Sequence, residues 1–200
     1  FRPGGINRRA DVAPYGADFL TNFEAGWKLG LLGGLVRFNG AVYQENWKKF
    51  QFAFLGANSF TEIHNGPNAR IRGVETQLAV NAGPLNLDFS AAFNDAKIRQ
   101  NLCLNADPTF ACTGEGNLVS APKGTRLPIT PKWKLAGTLR YTRPVGRAKV
   151  YGQVNATYQS SATSDIRRAI YENGTGAIID PAALTGRLPQ YATVNLALGA

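Results

Sequence analysis

Residues 69–98 read ARIRGVETQLAVNAGPLNLDFSAAFNDAKI, two alternating runs of fourteen residues joined by Gly83 and Pro84. Apolar and polar side chains alternate along both runs, as they do in β-strands whose two faces meet different surroundings. One face carries Val74, Thr76, Leu78, Val80, Leu85, Leu87, Phe89, Ala91 and Phe93. The other face carries Gly73, Glu75, Gln77, Asn81, Asn86, Asp88, Ser90 and Asn94. The stretch therefore predicts an antiparallel hairpin with one apolar face and one polar face.

The same alternation recurs along the rest of the chain. It is found in residues 21–29, 35–51, 132–142, 148–163 and 190–200, which makes seven strands with the hairpin above. Ordinary strands have about five or six residues, whereas most of these runs exceed ten. About ten residues are enough for a tilted strand to cross a membrane. We therefore predict an all-β protein made of long, membrane-crossing strands.

The connections between these strands differ in length in a regular way. Tight turns are predicted at residues 30–34, 82–85 and 143–146, and long polar stretches at 52–68, 99–130 and 164–189. Short turns at one end and long loops at the other are the layout of an outer-membrane β-barrel. The predicted fold is an antiparallel transmembrane β-barrel segment with short periplasmic turns and long extracellular loops. An outer-membrane location in a bacterium follows.

Seven strands do not close a barrel of the usual even number, and an unpaired edge in lipid is costly. The chain also starts at Phe1 without a signal peptide pattern and ends inside the last alternating run. We expect residues 1–200 to be one partial barrel domain, with further strands outside them.

The composition of the chain limits the classes of protein to which it can belong. No run approaches the roughly 20 apolar residues of a membrane helix. The net charge of +9 comes from Lys and Arg that are scattered along the sequence. Because basic residues form no run of the kind that marks a nucleic-acid patch, nucleic-acid binding is not predicted.

The two cysteines, Cys103 and Cys112, lie in one long polar stretch. A pair of cysteines in an outward-facing loop of an oxidising compartment predicts a disulfide. Metal ligation would need further Cys or His partners nearby. His64 is the one histidine, and no Ser or acidic motif frames it as a catalytic group. No enzyme activity, cofactor or metal is predicted.

Two sets of residues are candidates for contacts outside the chain. Aromatic side chains at strand ends are expected at the membrane interface, namely Trp47, Phe50, Trp133 and Tyr141. Cationic and aromatic residues of the last long loop could meet an anionic chelate, namely Arg167, Arg168, Tyr171 and Arg187. Contact of the loop cations with lipopolysaccharide or water remains the alternative.

Several motifs resemble one known family. They are FRPGGINR (residues 1–8), NFEAGWK (22–28), FNGAVY with WKKFQ (38–43 and 47–51), ARIRGVE (69–75), RLPITPK (126–132) and LPQY with VNL (188–191 and 194–196). In order and spacing they resemble the C-terminal half of the barrel of TonB-dependent outer-membrane receptors. The resemblance implies a plugged barrel of about 22 strands. It also implies energy-coupled import of a scarce nutrient, most often an iron–siderophore chelate, sometimes cobalamin or a sugar oligomer.

The same resemblance implies a TonB-type coupling protein as partner, engaged through an N-terminal region outside these residues, together with outer-membrane lipid and lipopolysaccharide. Two other hypotheses share parts of the strand pattern. A passive porin-like channel would have the same strands without plug or coupling. A soluble β-sandwich adhesin or lectin would fold without detergent.

Overall fold

The computed structural model describes residues 1–8, 12–55, 60–105, 107–167, 170–171, 177–179 and 187–200. Within these ranges the chain forms strands and one short 3-10 turn, η1 (Leu32–Gly34). The strands are β1 (Phe19–Leu31), β2 (Val36–Lys48), β3 (Gln51–Leu55), β4 (Thr61–Asn65), β5 (Ala69–Ala82), β6 (Leu85–Ile98), β7 (Leu102–Cys103), β8 (Val119–Ala121), β9 (Trp133–Val145), β10 (Ala148–Gln159), β11 (Ala162–Thr163), β12 (Ile170–Tyr171), β13 (Ile178–Ile179), β14 (Arg187–Leu188) and β15 (Tyr191–Gly199). No helix of the described residues is long and apolar enough to cross a membrane.

Seven long strands form one sheet in the order β1-β2-β5-β6-β9-β10-β15. Every pair of neighbours is antiparallel, so the sheet is a simple up-and-down meander. β1 and β15 are its two edges, and the sheet is not closed into a barrel. The predicted seven antiparallel strands are confirmed, and β5 and β6 have the predicted bounds.

The three tight turns all lie at one end of the sheet. Gly33 and Gly34 in η1 have φ of +66° and +92°, and Gly83 between β5 and β6 has φ of +59°. These left-handed conformations are open to glycine without the strain a Cβ adds. The turn predicted at residues 143–146 is displaced, because β9 continues to Val145 and the chain turns at Gly146 instead.

Pro144 fits inside β9 because the neighbouring strand β6 does not extend as far as this residue. The Thr142 N–H donates to the Pro84 carbonyl at 2.8 Å, so the backbone nitrogens of residues 142 and 144 point toward β6. β6 begins at Leu85, which pairs with Tyr141. No ladder hydrogen bond is lost at position 144, and the proline is tolerated at this free edge.

The long connections lie at the opposite end and contain short two-stranded sheets, β3–β4, β7–β8, β11–β14 and β12–β13. The prediction that one strand continues through residue 51 differs from the structure. Lys49 has φ of +51°, which ends β2 and sends the chain into the separate β3–β4 hairpin.

The two faces of the sheet have opposite character. On what we call the outer face, rows such as Val42, Val74, Phe93 and Trp133 lie side by side across four strands. Many large apolar side chains of this face are exposed; Leu198, for example, is 88% exposed. The other face, the inner face, carries the polar residues of the same strands. This arrangement places apolar side chains where a lipid environment would cover them.

The buried core lies at the long-loop end of the inner face. It contains the strand residues Ala69, Ala96 and Ile98 and the loop residues Phe50, Leu102, Ala121, Leu127 and Ile166. The loops therefore fold inward across the inner face at this end.

Candidate ligand-facing surface

Polar side chains bind one another along the inner face. The Thr138 hydroxyl donates to Asn155 Oδ1 at 2.8 Å, and the Gln153 amide donates to the same oxygen at 3.2 Å. The Arg140 guanidinium lies 3.7 Å from the centre of the Tyr151 ring, a cation–π contact. These contacts hold long polar side chains against the inner face of the sheet.

Below the folded loops the inner face has an acidic depression of about 320 Å³. Glu24, Glu45 and Glu75 line it around Tyr43, and Leu127 of the loop core closes it on the loop side. The carboxylates come from three neighbouring strands and were not predicted as a group from the sequence. Within the described ranges no three Asp, Glu, His or Cys side chains are arranged to hold a metal ion.

An N-terminal segment is attached to the loop end through Asp18. Arg2 pairs with Asp18 through backbone and side chain, and the Asp18 carboxylate also accepts the Trp47 indole N–H at 3.0 Å and the Gln51 backbone N–H at 3.1 Å. Burial raises the pKa of Asp18, but the hydrogen bonds from Arg2, Gln51 and Trp47 outweigh it and lower the pKa to about 2. The carboxylate is 2% exposed, so this network is a fixed anchor of the loop end.

The structure pairs Cys103 with Cys112 in a disulfide whose Cα atoms are 5.3 Å apart. Asp107, inside the closed loop, accepts the backbone N–H groups of Thr109 and Cys112, each at 2.8 Å. Hydrogen bonds from the Thr109 hydroxyl, the Thr109 N–H and the Cys112 N–H lower the pKa of Asp107. The loop is thus fixed both by a covalent bond and by an ionised carboxylate at its centre.

The four predicted ligand-contact residues lie in different surroundings. The Arg167 guanidinium pairs with Asp165 at 2.8 Å, and its side chain is 15% exposed. Burial raises the pKa of Asp165. The hydrogen bonds and the charge of Arg167 outweigh this effect, so the pKa of Asp165 lies below its usual value. Arg187 is exposed and donates to the Ser161 hydroxyl at 2.8 Å. Tyr171 pairs through its backbone with Ile178, and Arg168 lies outside the described residues.

Of the four predicted interface aromatics, two lie on the outer face. Trp133 is 46% exposed and Tyr141 is 50% exposed, at opposite ends of β9. Their contact with a membrane interface stays a prediction.

Trp47 and Phe50 differ from that expectation, because both pack in the inner-face cluster and Phe50 is 4% exposed. Strand alternation gives the physical reason for Trp47. Val42 faces outward, so the odd-numbered residues of β2, including Trp47, face inward. Phe50 follows the left-handed Lys49, where the chain turns toward the loops.

A meander of long strands with an apolar outer face and a polar inner face defines a segment of a transmembrane β-barrel. The family model described as "TonB dependent receptor-like, beta-barrel" matches residues 8–200. The chain belongs to this family of TonB-dependent receptor barrels.

Solved structures share the fold at low sequence identity. The ferric yersiniabactin uptake receptor FyuA from Yersinia pestis matches with a TM-score of 0.61 and 15% identity over 98% of this chain. The siderophore receptor PiuA from Acinetobacter baumannii matches with a TM-score of 0.60 and 16% identity over 96% of this chain. The ferric-catecholate import receptor Fiu from E. coli matches with a TM-score of 0.55 and 16% identity over 99% of this chain. The chain covers 25%, 23% and 23% of these receptors, about a quarter of their length. Comparison with curated protein sequences finds no significant match.

Proposed function

We propose that this chain is part of an outer-membrane receptor that imports a ferric siderophore, with energy supplied through a TonB-type coupling protein. One observation carries the proposal: the fold is shared over nearly the whole chain with three solved receptors whose names specify siderophores or ferric chelates. The coupling protein would engage a region N-terminal to these residues. The chemistry proposed is binding and gated passage, without catalysis.

The geometry fits this role. The long strands supply a rigid frame, and the loops that fold over the inner face narrow the entrance at one end. Within the last long connection, Arg168, Tyr171 and Arg187 are the proposed ligand contacts, because a cation such as the exposed Arg187 matches an anionic chelate. Arg167 is assigned a supporting part, since Asp165 already neutralises its charge.

The test of the import function uses the complete reading frame that contains this chain. We would express it in a bacterium that lacks its own siderophore receptors and follow uptake of iron loaded on a panel of siderophores. Uptake that requires both the receptor and the coupling protein is the expected result. Uptake that continues without the coupling protein would indicate a passive channel.

The ligand contacts are tested in the same receptor by the double variant Arg168→Gln/Arg187→Gln. Loss of two charge-assisted contacts should weaken siderophore affinity by about tenfold or more. The matched control, Arg147→Gln/Lys149→Gln, removes the same charge at the short-turn end and should leave affinity unchanged. Equal affinity of the two double variants would contradict the assignment.

A further inference from the structure

The inner face of the last three long strands contains no carboxylate. Residues 116–164 and 181–200, which include β9, β10 and β15, have no Asp or Glu. We call one part of this surface the carboxylate-free wall. It consists of the even-numbered residues of β9 from Lys134 to Arg140, together with the residues of β10 and β15 in the same rows of the ladder. Strand alternation places all of these side chains on the inner face.

The carboxylates of the inner face lie on the other strands of the sheet. Glu24, Glu45 and Glu75 belong to β1, β2 and β5. Asp88 on β6 lies opposite Thr138 and marks the border of the carboxylate-free wall. The charge is therefore unevenly distributed across the sheet, and an anion close to the inner face is repelled by β1, β2 and β5 but not by β9, β10 and β15.

The wall carries two cations that no carboxylate of the described residues neutralises. Neither Lys134 nor Arg140 forms an ion pair within the described ranges. Lys134 is exposed near the long-loop end of β9, and the Arg140 guanidinium is held over the Tyr151 ring. The two residues are six positions apart on β9, a distance of about 20 Å along the strand. Each presents a positive charge to an anion on the inner side of the sheet.

Uncharged polar groups fill the wall between these cations. The hydroxyls of Thr157 and Thr193 are hydrogen-bonded to each other across β10 and β15, and Thr138 donates to Asn155 Oδ1. Hydroxyl and amide groups both donate and accept hydrogen bonds, so they suit the oxygen atoms of a chelate. Passage requires contacts that admit a ligand and are weak enough to release it. Exposed hydroxyls and amides between two separated cations meet this requirement.

The loop with the proposed ligand contacts lies directly above this wall. Residues 164–189 connect β10 to β15, the two strands that form most of it. Arg187, one of the proposed contacts, donates to the Ser161 hydroxyl just beyond the end of β10. A chelate that leaves these contacts toward the interior therefore meets β10 and β15 before it meets the strands that carry the glutamates.

We infer that the carboxylate-free wall is the side of the barrel interior along which a multiply anionic ferric chelate passes inward. Lys134 attracts the chelate near the loops, the hydroxyls and amides contact it next, and Arg140 attracts it closer to the short-turn end. The inference rests on the proposed import function and adds to it a route and a charge requirement. It concerns transport after binding, so the loop contacts and the wall have separate effects.

The test measures binding and uptake of radioactive iron in cells that carry the complete receptor as their one siderophore receptor. The probe is a ferric tris-catecholate, which is trianionic, and the comparison is an uncharged ferric tris-hydroxamate. Lys134→Gln/Arg140→Gln should lower the maximal rate of tris-catecholate uptake roughly tenfold. Its affinity for the same chelate in cells without energy should equal that of the parent, because the loop contacts are intact. The amount of heat-modifiable receptor normalises every rate.

Two further variants separate charge from other causes. Lys134→Arg/Arg140→Lys keeps both charges and should keep the parent rate. The matched control Lys28→Gln/Arg37→Gln removes two inner-face cations from β1 and β2 and should also keep it. Equal rates in the two neutral double variants would overturn the inference. An equal loss in the charge-conserving variant, or an equal loss of tris-hydroxamate uptake, would overturn it as well.

The parent receptor distinguishes failure of the inference from failure of the proposed function. A parent that imports other siderophores but no tris-catecholate contradicts the inference and leaves the import function in place. A parent that imports no siderophore of the panel contradicts both. Uptake of tris-catecholate that falls only in Lys134→Gln/Arg140→Gln, with unchanged affinity, is the result that supports the route.

Discussion

Tyr43 and Gly73 lie directly opposite each other in the β2–β5 ladder, and the tyrosine ring fills the space above the glycine. A Cβ at position 73 would collide with this ring and lie 2.7 Å from the Phe93 carbonyl oxygen. Trp27 and Gly40 form a second pair of this kind in the β1–β2 ladder. An aromatic ring that covers a glycine on the next strand fixes the strand register, because a shift of one residue would remove the space for the ring.

Substitution of Gly73 should therefore destabilise the barrel. Gly73→Ala forces the Tyr43 ring or the β6 backbone to move, and overpacking of this kind costs about 1–3 kcal/mol. We expect a lower urea midpoint for the complete receptor in detergent. Gly152→Ala is the matched control, since its Cβ would meet its nearest atom, on Leu198, at an ordinary 3.4 Å. Equal urea midpoints for Gly73→Ala and Gly152→Ala would show that the Tyr43 ring does not require a glycine at position 73.

The two faces of the sheet predict effects of different size for the same substitution at adjacent positions. Leu78 lies in the middle of the outer face between Phe38 and Phe89, and Gln77 lies on the inner face. Leu78→Arg places a charge near the middle of the lipid layer and should cost about 2–4 kcal/mol. Gln77→Arg should cost far less. The amount of heat-modifiable receptor in isolated outer membranes measures the difference, and equal loss in both variants would contradict the assignment of faces.

Much of this sheet follows from the sequence, because alternation is a local property. The bounds of β5 and β6 agree with the prediction since the alternation is unbroken and Gly83-Pro84 marks the turn. The end of β2 was not predictable, because it depends on the left-handed conformation of Lys49, a residue type without a preference for it.

The candidate surfaces were harder to predict for a different reason. The burial of Phe50 results from loops that fold over the inner face, which is a tertiary contact. Arg70, Lys97 and Arg126 are far apart in the sequence, which shows them only as scattered charges, but they are neighbours in the structure. Strand register brings them together. The acidic depression of Glu24, Glu45 and Glu75 arises in the same way.

The contacts of Asp18 with Arg2, Trp47 and Gln51 predict that the attachment of the N-terminal segment to the long-loop end depends on pH. The pKa of Asp18 is lowered from 3.8 to about 2 in the folded chain, so its contribution to stability is complete above pH 3.8 and is lost as the pH falls through about 2. The Gln51 N–H donates to Asp18. The protection of this amide, which is its hydrogen exchange relative to an unstructured peptide at the same pH, should therefore stay high at pH 4 and fall below about pH 2.

The variant Asp18→Asn removes the charge and should weaken the anchor by about 2 kcal/mol at neutral pH, since hydrogen bonds to charged groups contribute that much. Its Gln51 amide should exchange faster at pH 7 and lose the acid-induced change. Glu115→Gln, an exposed loop substitution, is the control and should keep the parent profile. A parent-like profile in Asp18→Asn would exclude the carboxylate as the source of the protection.

The Cys103–Cys112 disulfide predicts that reduction changes the protease resistance of its loop and leaves the fold of the barrel unchanged. The bridge closes a loop with a sequence separation of nine residues, and cross-links of this size stabilise by about 2–3 kcal/mol. Reduction, or the variant Cys103→Ser/Cys112→Ser, should expose residues 103–117 to protease while heat modifiability of the barrel stays unchanged, because the strands do not depend on this loop. The hydrogen bonds of Asp107 remain after reduction, so Asp107→Asn in the reduced receptor should accelerate cleavage further. Cleavage at the same rate with and without the bridge would show that these hydrogen bonds alone hold the loop.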